Sequence, residues 1–132
     1  MTSKSLVLSL SLLVAVAAAQ AADVDVSKLP PASGKTGLTY AKDIKPIFEK
    51  SCFKCHGAEK QKGKLRLDSL GAAIKGGEDG PDIIAGNSAK SKLVHSVARL
   101  NEDEAMPPAE KGKPLTKDEV GLVRAWIDQG AK

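Results

Sequence analysis

The sequence predicts an all-α (mainly α) domain built around something larger than its own side chains. Three observations carry this expectation. Apolar residues recur at helical spacing in several separate stretches, and the last stretch has a full set of helix-start signals. Alternation of the kind that makes a strand is confined to Leu65-Arg66-Leu67-Asp68, too short for a sheet. The interior is also sparse: Tyr40, Phe48, Phe53 and Trp126 are the only aromatic residues among 132, while Gly (12) and Pro (7) are frequent. A domain of this size is marginal on side chains alone, so a large apolar cofactor is expected at its centre.

The N-terminus reads as a targeting segment rather than part of the fold. Lys4 supplies a positive start, Leu6 to Ala19 runs without a charge, and Ala19-Gln20-Ala21 fits a small-x-small cleavage site. Residues 1–21 are therefore expected to be a signal peptide cut after Ala21, with an uncleaved anchor as the alternative. The apolar run is short of the roughly 20 residues a spanning helix needs. Removing it takes away only Lys4 and lowers the formal charge from +4 by one. The remainder is mildly basic, without a dense Arg run or interleaved aromatics, which argues against nucleic-acid binding.

Residues 22–38 contain Pro30, Pro31, Ser33, Gly34 and Gly37 without a sustained period, and read as a flexible leader. The domain is expected over 39–132. Its first helix runs from Tyr40 to Ser51, with Ile44, Ile47 and Phe48 on one face and Pro46 placed in the first turn. Asp68 or Ser69 caps a short helix from Leu70 to Lys75 that Gly76 and Gly77 stop. Asn87 or Ser88 caps a third, from Ala89 to Arg99, with a stripe of Leu93, Val94, Val97 and Leu100. Asn101 to Pro114 is a loop containing Met106. In the last helix Thr116 and Glu119 form a capping box, Leu115 and Val120 a staple, and Gly130 the stop.

Cys52-Phe53-Lys54-Cys55-His56 is the chemistry-bearing motif. Two thiols one helical turn apart can each add to a vinyl group of one haem, and the adjacent His56 then lies under the iron. The spacing thus points to one covalently bound haem c. A thioredoxin-like pair is the first alternative, but it needs a preceding strand and an amphipathic helix stands there instead. A zinc site using His95 lacks a second close ligand pair, and a Cys52–Cys55 disulfide would close too small a loop to stabilise much. For the sixth ligand the candidate is Met106, the only methionine after the cut, followed by Pro107 and Pro108. His95 is its competitor, beside an apolar helix stripe.

At these residues the sequence resembles class I c-type cytochromes, and most of all the planctomycete-type cytochrome c domain. Ile44-Lys45-Pro46-Ile47-Phe48, Cys52 to Gly57, Leu65-Arg66-Leu67-Asp68, Gly76-Gly77, Gly80-Pro81, Ser91-Lys92-Leu93-Val94, Met106-Pro107-Pro108 and Leu115 to Ala131 carry the likeness. It covers about Tyr40 to Ala131. It implies a small helical domain wrapped around the haem and an aromatic contact between Phe48 and Trp126. It also implies a Pro81 carbonyl orienting His56, and an Arg66 that pairs with a haem propionate. The expected function is a mono-haem, one-electron carrier, not itself an enzyme, in a redox chain of the bacterial periplasm. A chain holding the domain alone suits a free carrier or the electron-accepting subunit of an oxidoreductase. The alternatives are an open iron site in a sensor or enzyme subunit, and a haem-free module with a disulfide. Lys54, Lys60, Lys62, Lys64, Lys111 and Lys113 are expected to steer redox partner proteins with an acidic docking surface. Contact with a membrane is expected only through a partner or an uncleaved signal anchor.

Overall fold

A computed structural model describes residues 23–132. The signal peptide expected at 1–21 lies outside the described residues. Within them are four α-helices and no β-strand: α1 (Lys45–Ser51), α2 (Leu70–Lys75), α3 (Lys92–Val97) and α4 (Lys117–Asp128). The mainly α class is as the sequence implied. No helix of the described residues is long and apolar enough to cross a membrane.

The frame is the crossing of α1 and α4. The Tyr40–Ser51 segment is helical throughout, but its first turn, Tyr40–Ile44, is a wider π-type turn before the α-helix begins. Pro46 stands just after that wider turn, in the first turn of α1. Ile44, Ile47 and Phe48 are buried, as their spacing demands. Opposite them α4 begins with the full capping box: Thr116 Oγ1 accepts from the Glu119 amide at 3.1 Å, and a Glu119 carboxylate oxygen accepts from the Thr116 amide at 2.9 Å. Lys50 on α1 pairs with the same Glu119, which ties the two helices at their ends.

Phe48 and Trp126 meet edge to face, with ring centroids 6.4 Å apart and planes at 83°. Tyr40 completes the group, 6.4 Å from Phe48 and 6.1 Å from Trp126. These separations and tilts are the ones aromatic quadrupoles favour. The polar tips are satisfied too. Tyr40 Oη donates to the Leu67 carbonyl at 2.6 Å, and Trp126 Nε1 to the Lys132 carbonyl at 2.9 Å. Three of the chain's four aromatics thus form one cluster, which is how so sparse a set fills the side of the core facing α4.

Two expectations need correction. Residues 22–38 do not behave as a leader where they are described. Gln129 and Arg124 of α4 hold this segment by its backbone: Gln129 Nε2 donates to the Lys35 carbonyl at 2.8 Å, its Oε1 accepts from the Leu38 amide at 3.2 Å, and Arg124 donates to the Pro30 carbonyl. The Ser33 amide donates to the Gly121 carbonyl at 2.9 Å. Gly121 permits this approach, since a Cβ there would stand 2.8 Å from the Pro31 oxygen. Composition gave no hint of this, because the segment is held mainly through backbone groups that any residue carries.

The third helix is also shorter than its pattern. A 3-10 turn, Ser88–Lys90, comes first, and α3 starts only at Lys92. Ser91 between them is extended and fully buried; its Oγ accepts from the Ile84 amide at 2.9 Å and donates to the Asn87 carbonyl at 2.9 Å. A buried hydroxyl competing for backbone groups breaks a helix that periodicity would continue. The end of α3 is set by Arg99, whose φ of 57° turns the chain sharply.

Candidate functional site

The Cys-rich segment leaves α1 through one further turn. The Cys52 carbonyl accepts from the amides of both Cys55 (3.1 Å) and His56 (2.9 Å). Cys52, Cys55 and His56 all line a single cleft. Gly57 closes the turn tightly: a Cβ there would lie 2.5 Å from the Phe53 carbonyl oxygen. The chain then folds back over the motif, with the Lys62 amide on the Cys55 carbonyl (3.0 Å) and the Leu67 amide on the His56 carbonyl (2.8 Å).

The cleft is an open cavity of about 240 Å³. Leu65 and Leu67 line it beside the motif; Leu93 and Val97 of α3 line it too, with Met106 and Pro107 from the following loop. This is a largely apolar space with a few convergent polar groups, the usual make-up of a small-molecule site. Both thiols are free. Burial pushes the Cys52 thiol up to about 12, so it stays protonated near neutral pH.

His56 Nδ1 lies 3.3 Å from the Leu65 carbonyl oxygen. A carbonyl only accepts, so Nδ1 carries the proton and Nε2 keeps the lone pair a metal needs. The oxygen that orients the ring is therefore that of Leu65, not of Pro81. Pro81 follows a tight turn closed by mutual bonds of Gly77 and Gly80 (3.1 and 3.2 Å), and it is not among the residues lining the cleft. Arg66 is also elsewhere. Its Nε and Nη2 donate to the two Asp68 carboxylate oxygens at 3.0 and 2.7 Å, a bidentate pair that occupies the guanidinium meant for a propionate. His95, the competing ligand, places Nε2 2.7 Å from the Ala89 carbonyl oxygen and does not line the cleft.

Residues Cys52 to Glu110, which take in both thiols, His56 and Met106, match a family model described as planctomycete cytochrome C. Over that stretch the chain is similar to cytochrome c domains of the planctomycete type. No curated protein and no solved structure matches the chain. The family carries a haem-binding, electron-transfer role.

The cytochrome c-like cleft fits that group on its own chemistry. Two thiols and an imidazole with a free Nε2 share it, apolar side chains make up much of the lining, and a soft thioether stands in the loop after α3. Met106 is 37% exposed, yet both its neighbours, Ala105 and Pro107, are buried. Lys54, Lys62 and Lys111 stand in the cleft lining, joined by Lys92, and so do Glu78, Asp79 and Asp82. Lys60, Lys64 and Lys113 are not part of it.

Proposed function

We propose that this domain holds one haem c, covalently bound to Cys52 and Cys55 with His56 and Met106 as axial ligands, and acts as a one-electron carrier in the bacterial periplasm. The observation that carries this reading is the shared cleft, which gathers both thiols, the imidazole and the lone candidate thioether. When bound, the haem supplies the redox chemistry; the protein supplies attachment, ligands and burial. With both axial positions filled, the iron has no site for oxygen or substrate, which suits electron transfer and not catalysis. Leu65 holds the proton of His56 on Nδ1, so the imidazole presents its other nitrogen throughout.

Export rests on the signal-like residues 1–21, and the mature chain is expected to begin at Ala22. Redox partners are proposed to dock at the cleft, where Lys54, Lys62, Lys92 and Lys111 favour an acidic surface and Glu78, Asp79 and Asp82 temper that preference.

The test is expression in bacteria equipped for cytochrome maturation, followed by intact mass and spectroscopy of the exported protein. One haem mass on a chain starting at Ala22, a low-spin spectrum and slow carbon monoxide uptake are expected. Colourless protein of unmodified mass would leave the haem-free, disulfide-bearing module instead. Rapid carbon monoxide binding by the unaltered protein would replace the carrier with an open-iron sensor or enzyme subunit.

A further inference from the structure

The loop that presents Met106 is pinned at two adjacent points, both to the end of α3. The Met106 amide donates to the Ser96 carbonyl at 3.0 Å. One residue on, the Pro107 carbonyl accepts from Arg99 Nη1 at 2.9 Å. The same guanidinium reaches back with Nη2 to a Glu102 carboxylate oxygen at 3.0 Å. Arg99 therefore spans the loop from its first turn to the residue after the thioether. It does so from a left-handed backbone conformation, φ 57°, which a residue with a side chain seldom adopts. Its side chain is largely covered, at 22% exposure, whereas Glu102 is 76% exposed. The bond to Pro107 is thus the better shielded of the two, and an exposed ion pair contributes little.

From this arrangement we infer that Arg99 is the positioning residue for Met106. Its guanidinium fixes the Pro107 carbonyl and so holds the thioether side chain over the cleft. The inference rests on Met106 acting as an axial ligand. Lysine at this position keeps the charge but loses the planar fork that serves two acceptors at once. Removing Arg99 leaves the Ser96 bond as the only one of these anchors and frees the loop to swing away.

The experiment compares haem-loaded wild type with Arg99→Ala, Arg99→Lys, Glu102→Gln and Met106→Ala. Three quantities are read: the methionine-to-iron charge-transfer band, the rate at which added imidazole displaces the thioether, and hydrogen exchange at the Met106 amide. Arg99→Ala is expected to weaken the band and to raise imidazole capture and Met106 exchange about tenfold, the scale of one lost charge-assisted hydrogen bond. Arg99→Lys recovers part of each, and Glu102→Gln stays within twofold of wild type. Exchange at the Trp126 amide, remote in α4, is expected to stay unchanged.

Wild-type behaviour in Arg99→Ala, with Met106→Ala changed, would overturn the role of Arg99 while leaving the ligand in place. Exchange raised equally at Met106 and Trp126 would also overturn it, since the residue would then be supporting the fold at large. Unchanged band and capture in Met106→Ala would remove the ligand assignment itself, and the role of Arg99 with it.

Discussion

The edge-to-face contact of Phe48 and Trp126 is the joint on which the Cys-rich turn is mounted. Phe48 offers its ring to α4 and its carbonyl to the amide of Cys52, at 2.7 Å. Replacing Phe48 by Leu keeps an apolar side chain in a fully buried position but removes the ring from two aromatic neighbours. A core change that both reduces volume and takes away the packing of ring on ring costs about 2 kcal/mol, of which about 0.5–1.5 kcal/mol belongs to the pair with Trp126. At about 4–8 °C per kcal/mol for a domain near this size, the midpoint of thermal unfolding falls by roughly 8–16 °C. The pair itself is isolated by a double-mutant cycle with Trp126→Leu, each variant unfolded in urea with the same haem content. We expect a coupling of about 1 kcal/mol. A coupling indistinguishable from zero would refute the reasoning, because the two rings would then contribute area alone and no mutual orientation.

Cys52→Ser with Cys55→Ser is expected to abolish covalent haem, read as loss of the haem mass from exported protein. Gly57→Ala drives a Cβ to 2.5 Å from the Phe53 oxygen, and is expected to destabilise the motif turn by about 1–3 kcal/mol in urea unfolding. Thr116→Ala removes the α4 cap at a cost of about 1 kcal/mol, measured in the same way. Burial alone would raise the Glu119 carboxyl, but hydrogen bonds from Lys50 and the Thr116 backbone outweigh it and hold the group below its ordinary 4.5. A carboxyl depressed in the folded state stabilises above its unfolded value and loses that contribution as pH falls through the folded one. Glu119→Gln is therefore expected to flatten the decline in stability below pH 4.5, followed by urea midpoints across that range.

The site was legible in the sequence where chemistry demands particular residues at fixed spacing. Cys52, Cys55 and His56 were singled out by one short motif, and Met106 as the only methionine of the described residues; all four line the cleft. Arg66 and Pro81 were not, because their roles came from likeness and depend on which carbonyl or carboxylate lies nearest in space. Asp68, two residues away, captures Arg66, and the fold-back of 61–67 puts Leu65 against His56 before Pro81 can reach it. Lys92, Leu93 and Val97 read in sequence as one lysine and two core positions; nothing in a helical stripe says whether it faces side chains or a cofactor. The helices themselves were readable from period and caps, best of all α4. The docked segment before Thr39 was hidden because its bonds run through main-chain atoms.

That docked segment makes the fold depend on order of synthesis. Its hydrogen bonds to Arg124 and Gln129 join residues 91 and 94 positions apart, so they form only after almost the whole domain has emerged. Until α4 arrives, Pro30 to Leu38 lacks these partners. Long-range closure of this kind comes late, since loop entropy must be overcome before the contact forms. The fastening of this segment to α4 is therefore expected among the last contacts of the domain to close.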